Sequence, residues 1–582
     1  MDSNQLRDIL LDNKFISDVM IKENASFKKK EYNFLISCSL STKSNLIPVK
    51  IGLPLNWELS LIDIYCETDK LPFIPHVEKN GKLCLFDLEG ALIDWNFDGV
   101  FNQCIDKAIK ILDDGINGKN KRDLLEEFNS YIYNRADYKD IDVAIPKEKK
   151  NQKINYCAKN KISKERKKNE TDAEYLRRTT IKSYFASTLS SDFDLWGYRN
   201  RTQFNGLYFF SAPNKAIYPP DFRKSIDLSY LNNILSYCSF NIKDKRYLKT
   251  KDMLFIFEIK QPEEINNVIG FLIENGEYSI EFDKLKINSS KRIIPLCVNR
   301  LDKSYLMNRT SFDKNILANK KYLLIGCGSI GGYTFSNLIK SGVEDITLVD
   351  SDHLNAENIY RHLLGIEYLN NYKAEALRIY GEKNLQNLNI KTVVEKIEDA
   401  IEDCSIEFED YDYIISATGN EILNRWLNKY IVTNKIQIPV FYLWNEPLDI
   451  GSHVAFFDIN CKGCYECMFK RDVEGNLYNS FAYTQKGQVI AKSNSGCQGS
   501  FISYGSLISI KTSLMFMDLL KKHALNRIQS NLIFSSKGDE YYFKLAGLNF
   551  SKRFTSQKSD SEIIEFNNIY NKTCSICGEL WQ

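Results

Sequence analysis

The chain has no long apolar run: nothing in its 582 residues approaches the roughly 20 consecutive apolar residues that a membrane-spanning helix needs. It has no surplus of either charge, with 77 Lys and Arg against 75 Asp and Glu. That balance removes any global argument for nucleic acid or a membrane surface as partner. The N-terminus lacks a secretory pattern, and its opening MDSNQLRDILLDNKFISDV has the polar, amphipathic character of a helix. These absences predict a cytoplasmic protein with no direct nucleic-acid partner and no membrane. A disulfide framework is also missing, because the 15 cysteines are odd in number and scattered through a large chain. In a reducing cytosol such cysteines are core fillers, metal ligands or nucleophiles.

What is present divides into segments, and the length allows about three or four domains. Residues 1–145 have the pattern of an α+β unit. An opening helix is followed by strand-like runs at Tyr32–Ser39, Leu46–Gly52 and Leu59–Cys66, a Pro/Gly-rich loop, and a helix around Phe101–Asp113. Residues 146–182 hold the runs KEKK, KNKISKERKK and RR and are expected to be a basic, solvated linker. Residues 183–305 form a middle domain without a recognisable motif; strands are expected at Gly206–Phe210 and Met253–Ile259, and a helix over Glu263–Glu274. Residues 306–582 alternate strands (Tyr322–Ile325, Asp345–Val349, Tyr413–Ile415, Val440–Leu443) with helices. This alternation predicts a doubly wound, Rossmann-like α/β domain.

Residues 321–361 carry the densest chemistry. An apolar strand runs into Gly326-x-Gly328-x-x-Gly331-Gly332, then a helix, then a second strand ending at Asp350. Glycines let the backbone approach phosphate, the helix N-terminus offers N–H donors, and the acid suits ribose hydroxyls. Asp352, Asn358 and Arg361 follow, and Lys373 comes about one helix later. Basic groups around a bound nucleotide favour triphosphate chemistry over hydride transfer.

Two CxxC pairs, Cys464/Cys467 and Cys574/Cys577, can each hold one side of a tetrahedral ion, and four thiolates make a closed structural Zn²⁺ site. Cys461-x-x-Cys464 is an overlapping alternative. Cys497 stands in SNSGCQGSFISYGS just before an apolar helix, where a thiol's pKa is lowered and its nucleophilicity raised.

The spaced pattern LIGCGSIGG…LVDSDHLNAENIYRHLLG followed by YKAEAL resembles the adenylating domain of ubiquitin-activating enzymes and their bacterial relatives that act on ThiS and MoaD. The resemblance covers roughly 300 to 540. It implies that Asp350 binds the ATP ribose, that Asn358 and Arg361 contact phosphates, and that Lys373 is the family lysine. It also implies that Arg309 reaches the ATP of a second subunit in a homodimer. The family carries Thr-Asp-Asn after its fourth strand, with the Asp on Mg²⁺; this chain has Thr418-Gly419-Asn420, so either Glu421 or Asp352 would hold the ion instead or the site is altered. The family's zinc spacing favours Cys464/Cys467, and its Gly-Cys-x-x-x-Phe motif makes Cys497 the residue that takes the acyl group from AMP as a thioester.

Nearer the N-terminus, Ile74-Pro75-His76-Val77-Glu78-Lys79-Asn80-Gly81-Lys82-Leu83-Cys84-Leu85 resembles the active-site strip of ubiquitin-conjugating enzymes, His-Pro-Asn followed by Gly-x-Ile-Cys-Leu. Cys84 then matches the catalytic cysteine. Ile74 replaces the family His and His76 the family Asn, leaving His76 as the candidate donor to the oxyanion formed during amine attack. The order of conjugating-like domain, linker, middle domain and adenylating domain resembles the ubiquitin-transferase-like proteins of CBASS antiphage systems. That resemblance implies adenylation of a partner's C-terminal glycine, the partner being a cyclic-nucleotide synthase. The acyl group would pass to Cys497 and Cys84, and finally to a lysine or other amine. The alternatives are a stand-alone sulfur-carrier adenylyltransferase, an NAD-dependent oxidoreductase and, given Gly419, a non-catalytic scaffold.

Overall fold

In a computed structural model, the chain divides into two compact units, Met1–Asp302 and Lys303–Gln582. The structure describes residues 3–581 except 44, 58–60, 87–95, 163–170, 172–179, 196, 241–247, 311–315, 489–491, 494–499, 502, 558–562 and 568.

The first unit opens with helix α1 (Ser3–Asp12) and an antiparallel meander of β1 (Ile16–Phe27), β2 (Lys30–Ser41), β3 (Leu46–Leu53) and β4 (Asp63–Cys66). Alternation along β2 turns Phe34, Ile36, Cys38 and Leu40 to one face, and β3 adds Ile47, Val49 and Ile51 to the same core. Helix α2 (Phe97–Ile116) closes over that face. Its Val100, Phe101, Cys104, Ile105, Ala108, Ile111 and Leu112 recur at the three-to-four spacing of a helical stripe. Between β4 and α2 the chain returns beneath the sheet edge, with bridges Tyr65–Lys82 and Val77–Leu83 that fix the strip ending at Cys84. Short helices α3 (Lys121–Glu126) and α4 (Phe128–Tyr133) follow.

The middle of the chain departs from expectation. A closed seven-stranded barrel is built from β5 (Lys139–Ala144), β6 (Gln152–Ile162), β7 (Thr180–Ser187), β8 (Gln203–Ser211), β9 (Met253–Lys260), β10 (Asn266–Glu274) and, after the hairpin β11 (Glu277–Glu281) and β12 (Lys284–Ser289), β13 (Arg292–Arg300). Helix α5 (Leu228–Ser236) packs against it through Leu231, Ile234 and Leu235. Residues 146–182, expected as a linker, thus contribute β6 and the start of β7, and β5 places the barrel's first strand before residue 146. Along β6, Ile154 and Tyr156 turn into the barrel core, while Lys153 and Lys159 lie on the other face with Cys157, Lys159 pairing with Asp142. The helix expected over Glu263–Glu274 is mostly strand β10. Val268–Ile273 is apolar at nearly every position because both faces are covered, a pattern that periodicity alone does not separate from a buried helix.

The second unit is the expected doubly wound sheet. Strands β14 (Lys321–Ile325), β15 (Asp345–Val349), β16 (Asn389–Val393), β17 (Tyr413–Ser416) and β18 (Val440–Asn445) are parallel in the order β16-β15-β14-β17-β18. β19 (Gly451–Phe457) and the strands Leu532–Lys537 and Ile564–Phe566 extend it antiparallel. Helices α6 (Ser329–Lys340), α7 (Lys373–Asn384) and α9 (Ser506–Ala524) share one core, while α8 (Glu421–Thr433) packs in another with Leu323, Ile325 and Ile414. The strand order reverses between β14 and β17, the switch point where an open α/β sheet leaves a crevice at the strands' carboxyl ends. No helix among the described residues is long and apolar enough to cross a membrane.

Candidate functional site

A cleft of about 700 Å³ lies at that switch point. Gly326, Gly328, Ser329 and Ile330 from the β14–α6 turn line it, with Asp350 and Asp352 after β15, Arg361, Lys373, and Thr418–Asn420 after β17. The first-turn N–H groups of α6 have no intrahelical acceptor, and no side chain caps them, a helix end of the kind that suits an anion. Gly331 is sterically required: a Cβ there would lie 1.9 Å from the Gly326 carbonyl oxygen. A Cβ on Gly328 would meet nothing within 4 Å, because that residue faces the open cleft.

Asp350 holds the rim together. Its Oδ2 accepts from the Cys327 N–H at 2.6 Å and its Oδ1 from the Asp352 N–H at 2.8 Å. Burial raises its carboxyl above the usual range, opposed by the Lys373 ammonium. Lys373 Nζ is 2.8 Å from Asp352 Oδ2; the lysine is nearly buried while the aspartate is exposed. Arg361 places its guanidinium 5.2 Å from the centre of the Tyr504 ring, and the Ser329 hydroxyl donates to the Arg361 carbonyl. Beside it, His362 Nδ1 accepts from the Leu364 N–H at 3.1 Å, so Nε2 carries the proton and donates to the Cys327 carbonyl at 2.8 Å. Burial pushes its pKa down to about 4, which keeps it neutral. Ser329, His362 and Tyr504 were not legible as site residues, since nothing in their local spacing distinguishes them.

The remaining expected residues fall as follows. Asn358 Oδ1 accepts from the Asn355 N–H at 3.0 Å, so its side chain closes a capping box on its own short helix. Asn420 lines the cleft and also caps α8, its Oδ1 accepting from Ile422 and Leu423 N–H at 3.0 and 3.2 Å. Gly419 has φ +65°, in the left-handed region that glycine adopts without strain. Of the two substitute metal ligands, Glu421 accepts from Asn479 Nδ2 at 3.0 Å, whereas Asp352 faces the cleft. Arg309 belongs to the short helix Met307–Arg309, and its side chain lies outside the described residues. Cys497 also lies outside them, between the paired strands Lys492–Ser493 and Ser500–Phe501.

Cys464, Cys467, Cys574 and Cys577 are all buried, with their sulfurs within 4.8 Å of one another. The separations Cys464–Cys574 and Cys467–Cys577 are 3.7 and 3.4 Å. Tetrahedral Zn–S bonds of ~2.3 Å imply sulfur–sulfur distances of ~3.8 Å, so the cluster fits the ion. The Asn428 side-chain amide donates to Cys464 Sγ at 3.5 Å. Cys461 is not in the cluster; its thiol lies 3.6 Å from the Gln529 carbonyl.

In the first unit, Cys84 is exposed and its N–H donates to the His76 carbonyl at 2.9 Å. Partial loss of solvent around the sulfur, then the charges of Glu78 and Glu127, push its thiol pKa up to about 11. His76 was expected to aim a donor at an oxyanion. Both its ring nitrogens instead face carboxylates: Nε2 is 2.9 Å from Asp123 Oδ2 and Nδ1 is 3.2 Å from Glu127 Oε1. The Glu127 hydrogen bond, with Asp123 beside it, raises the imidazole pKa against the opposing effect of burial. His76 thereby ties the strip before Cys84 to α3 and the α3–α4 junction.

Comparison with known proteins finds a family model that matches a segment of each unit. Residues 307–557 match the ThiF family and residues 17–140 match the prokaryotic E2 family B. The chain is a fusion of an E2-like domain and a ThiF-like domain. It resembles bacterial proteins named ATP-dependent ubiquitin transferase-like protein Cap2. The Pseudomonas aeruginosa protein is 27% identical over 38% of this chain and 39% of its own length. The Vibrio cholerae protein is 26% identical over 41% and 40%, and the Escherichia coli one 22% over 49% and 52%. The chain thus spans about two fifths to a half of the length of the curated relatives it matches. Among solved structures, E. coli MccB is 18% identical with a TM-score of 0.34, covering 46% of this chain and 67% of that one.

Proposed function

We propose that the fusion activates the C-terminal glycine of a partner protein with ATP and transfers the acyl group through thioesters to an amine. The observation that carries this reading is the switch-point cleft, where α6's N-terminus, Arg361 and Lys373 gather around one crevice with Asp350 at its rim. In that cleft Asp350 binds ribose, while the α6 N–H groups, Arg361 and Lys373 take the triphosphate charge. The partner's carboxylate attacks the α-phosphorus, the bond to the bridging oxygen breaks, and pyrophosphate leaves. Catalysis there is positioning plus charge neutralisation. Asp352 is the cleft carboxylate that would hold Mg²⁺, which supplies further neutralisation of the phosphates. Asn358, Asn420 and Arg309 belong to the nucleotide's surroundings in this reading, with Arg309 acting across a homodimer.

The acyl group then moves from AMP to Cys497 and from there to Cys84, whose exposed thiol suits exchange with a large partner. A lysine or other amine finally takes it as an amide. The Cys464, Cys467, Cys574 and Cys577 cluster holds structural Zn²⁺. The system is an antiphage one acting in the cytoplasm, and the partner is a cyclic-nucleotide synthase ending in glycine. Exchange of labelled pyrophosphate into ATP, dependent on a glycine-ended partner and lost in Lys373→Ala, tests the adenylation step. Tight NAD binding with no ATP binding would sink it. Conjugation that survives Cys84→Ala would leave a sulfur-carrier-type adenylyltransferase instead.

A further inference from the structure

Glu78 lies six residues before Cys84, and its Oε1 is 3.8 Å from the Cys84 sulfur. The other charged groups around this thiol are already engaged. Asp123 and Glu127, on α3 and the α3–α4 junction, face His76, and Glu127 also accepts from the Tyr131 hydroxyl at 3.1 Å. Lys82 pairs with Asp63 at 2.7 Å. Among the described residues, the thiol is the side-chain hydrogen-bond partner of the Glu78 carboxylate.

A thiol with a pKa of about 11 is ionised to only about three parts in ten thousand near pH 7.5. Unassisted attack by the resting thiolate would therefore be slow, and a base in contact with the S–H removes that obstacle. We propose that Glu78 is the general base of the Cys84 centre, a role that rests on the reading of Cys84 as a thioester carrier. As the Cys84 sulfur bonds to the incoming acyl carbon, Glu78 takes the thiol proton. The donor carbon–sulfur bond breaks, and the proton passes to the departing thiolate. In the second step an amine nitrogen bonds to the acyl carbon, Glu78 takes the ammonium proton, and Cys84 leaves as thiolate to be reprotonated. Glu78 touches the reacting sulfur, which sets it apart from His76, a positioning residue.

The full chain and its Glu78→Gln variant test this with two reagents. The first is the 2-mercaptoethanesulfonate thioester of N-acetyl-glycyl-glycine, which acylates Cys84 directly and is followed by mass spectrometry of the Cys84 peptide. The second is iodoacetamide, which reports thiolate alone. Glu78→Gln is expected to slow acylation ~10²-fold or more and make it rise close to tenfold per pH unit between about pH 6.5 and 8.5. The same variant should alkylate faster than wild type at fixed pH, because removing the carboxylate charge favours the thiolate. Opposite movement of the two rates is the signature of a base. Acylation at the wild-type rate, or both rates falling together, overturns the assignment. A wild-type Cys84 that takes no acyl group while other thiols do would overturn the thioester-carrier reading itself, and the role of Glu78 with it.

Discussion

Gly331→Ala gives the sharpest test of how the nucleotide turn is built. The added Cβ would sit 1.9 Å from the Gly326 carbonyl oxygen and 3.6 Å from the Ala417 Cβ. An ordinary C···O contact needs ~3.3 Å, so the Gly326 carbonyl or the first turn of α6 must move by ~1.4 Å. Gly326 and Cys327 are tied to the second strand, through the Gly326 N–H to the Val349 carbonyl at 2.9 Å and the Cys327 N–H to Asp350 at 2.6 Å. The shift therefore strains the rim as well as the turn. Overpacking of this kind costs ~1–3 kcal/mol, which for a unit of this size lowers Tm by ~2–10 °C. A displacement above 1 Å in phosphate-facing N–H groups should reduce pyrophosphate–ATP exchange by ~10²-fold or more. Two controls separate packing from ligand contact. Gly328→Ala meets no atom and has φ −77°, so it should leave Tm unchanged yet block exchange by filling nucleotide space. Gly365→Ala meets no atom outside the cleft and should change neither. Wild-type exchange and Tm in Gly331→Ala would refute this account of the turn, and normal exchange in Gly328→Ala would refute the placement of phosphate over it.

Lys373→Ala should cut pyrophosphate exchange by ~10²–10³-fold while shifting Tm by less than ~1 °C, because its carboxylate partner Asp352 is exposed; a Tm collapse would instead make the lysine structural. One zinc per chain is expected by elemental analysis. Cys574→Ser should lose it and lower Tm, whereas Cys461→Ser should retain both. His76→Gln probes the clamp before Cys84. Its raised pKa means the clamp's contribution is fully present below the ordinary histidine value of ~6.5 and fades as pH rises through the folded value. Glu127, held below its ordinary value chiefly by the His76 hydrogen bond, sets the acid limit, where stabilisation is lost as pH falls through its folded pKa. The wild-type advantage in Tm, worth ~1 kcal/mol for a half-exposed pair, should therefore be greatest near pH 6 and shrink in alkaline buffer. A pH-independent difference would show that His76 acts by packing.

The Rossmann-like half was legible because its strands are buried on both faces and punctuated by glycine and acid. Asp345–Val349 matches the expected strand end for end, and Tyr322–Ile325 and Tyr413–Ile415 differ from it by one residue. The four zinc-type cysteines were legible because short spacing forces each pair together, while the 110-residue gap between pairs is closed by the fold. The barrel was not legible. The lysines of β6 look like linker until Ile154 and Tyr156 are seen facing the same core as Ile141 and Leu254. At Cys84 the strip itself could be matched, but the carboxylates that face His76 lie 47 and 51 residues downstream, and no local pattern announces them. Gly419 was legible only as a departure, and its φ of +65° does not explain it, since Asp449 adopts φ +64° in the same chain.

The central claim is that an acyl group passes from the cleft to Cys497 and then to Cys84. It is tested most directly by incubating the full chain with ATP, Mg²⁺ and a glycine-ended partner, then mapping hydroxylamine-labile adducts by mass spectrometry. The account predicts adducts on both cysteines in wild type. Only the Cys497 adduct should persist in Cys84→Ala, and Cys497→Ala should carry none. Amide conjugation that continues in Cys84→Ala, or a Cys84 adduct that forms without Cys497, would contradict it.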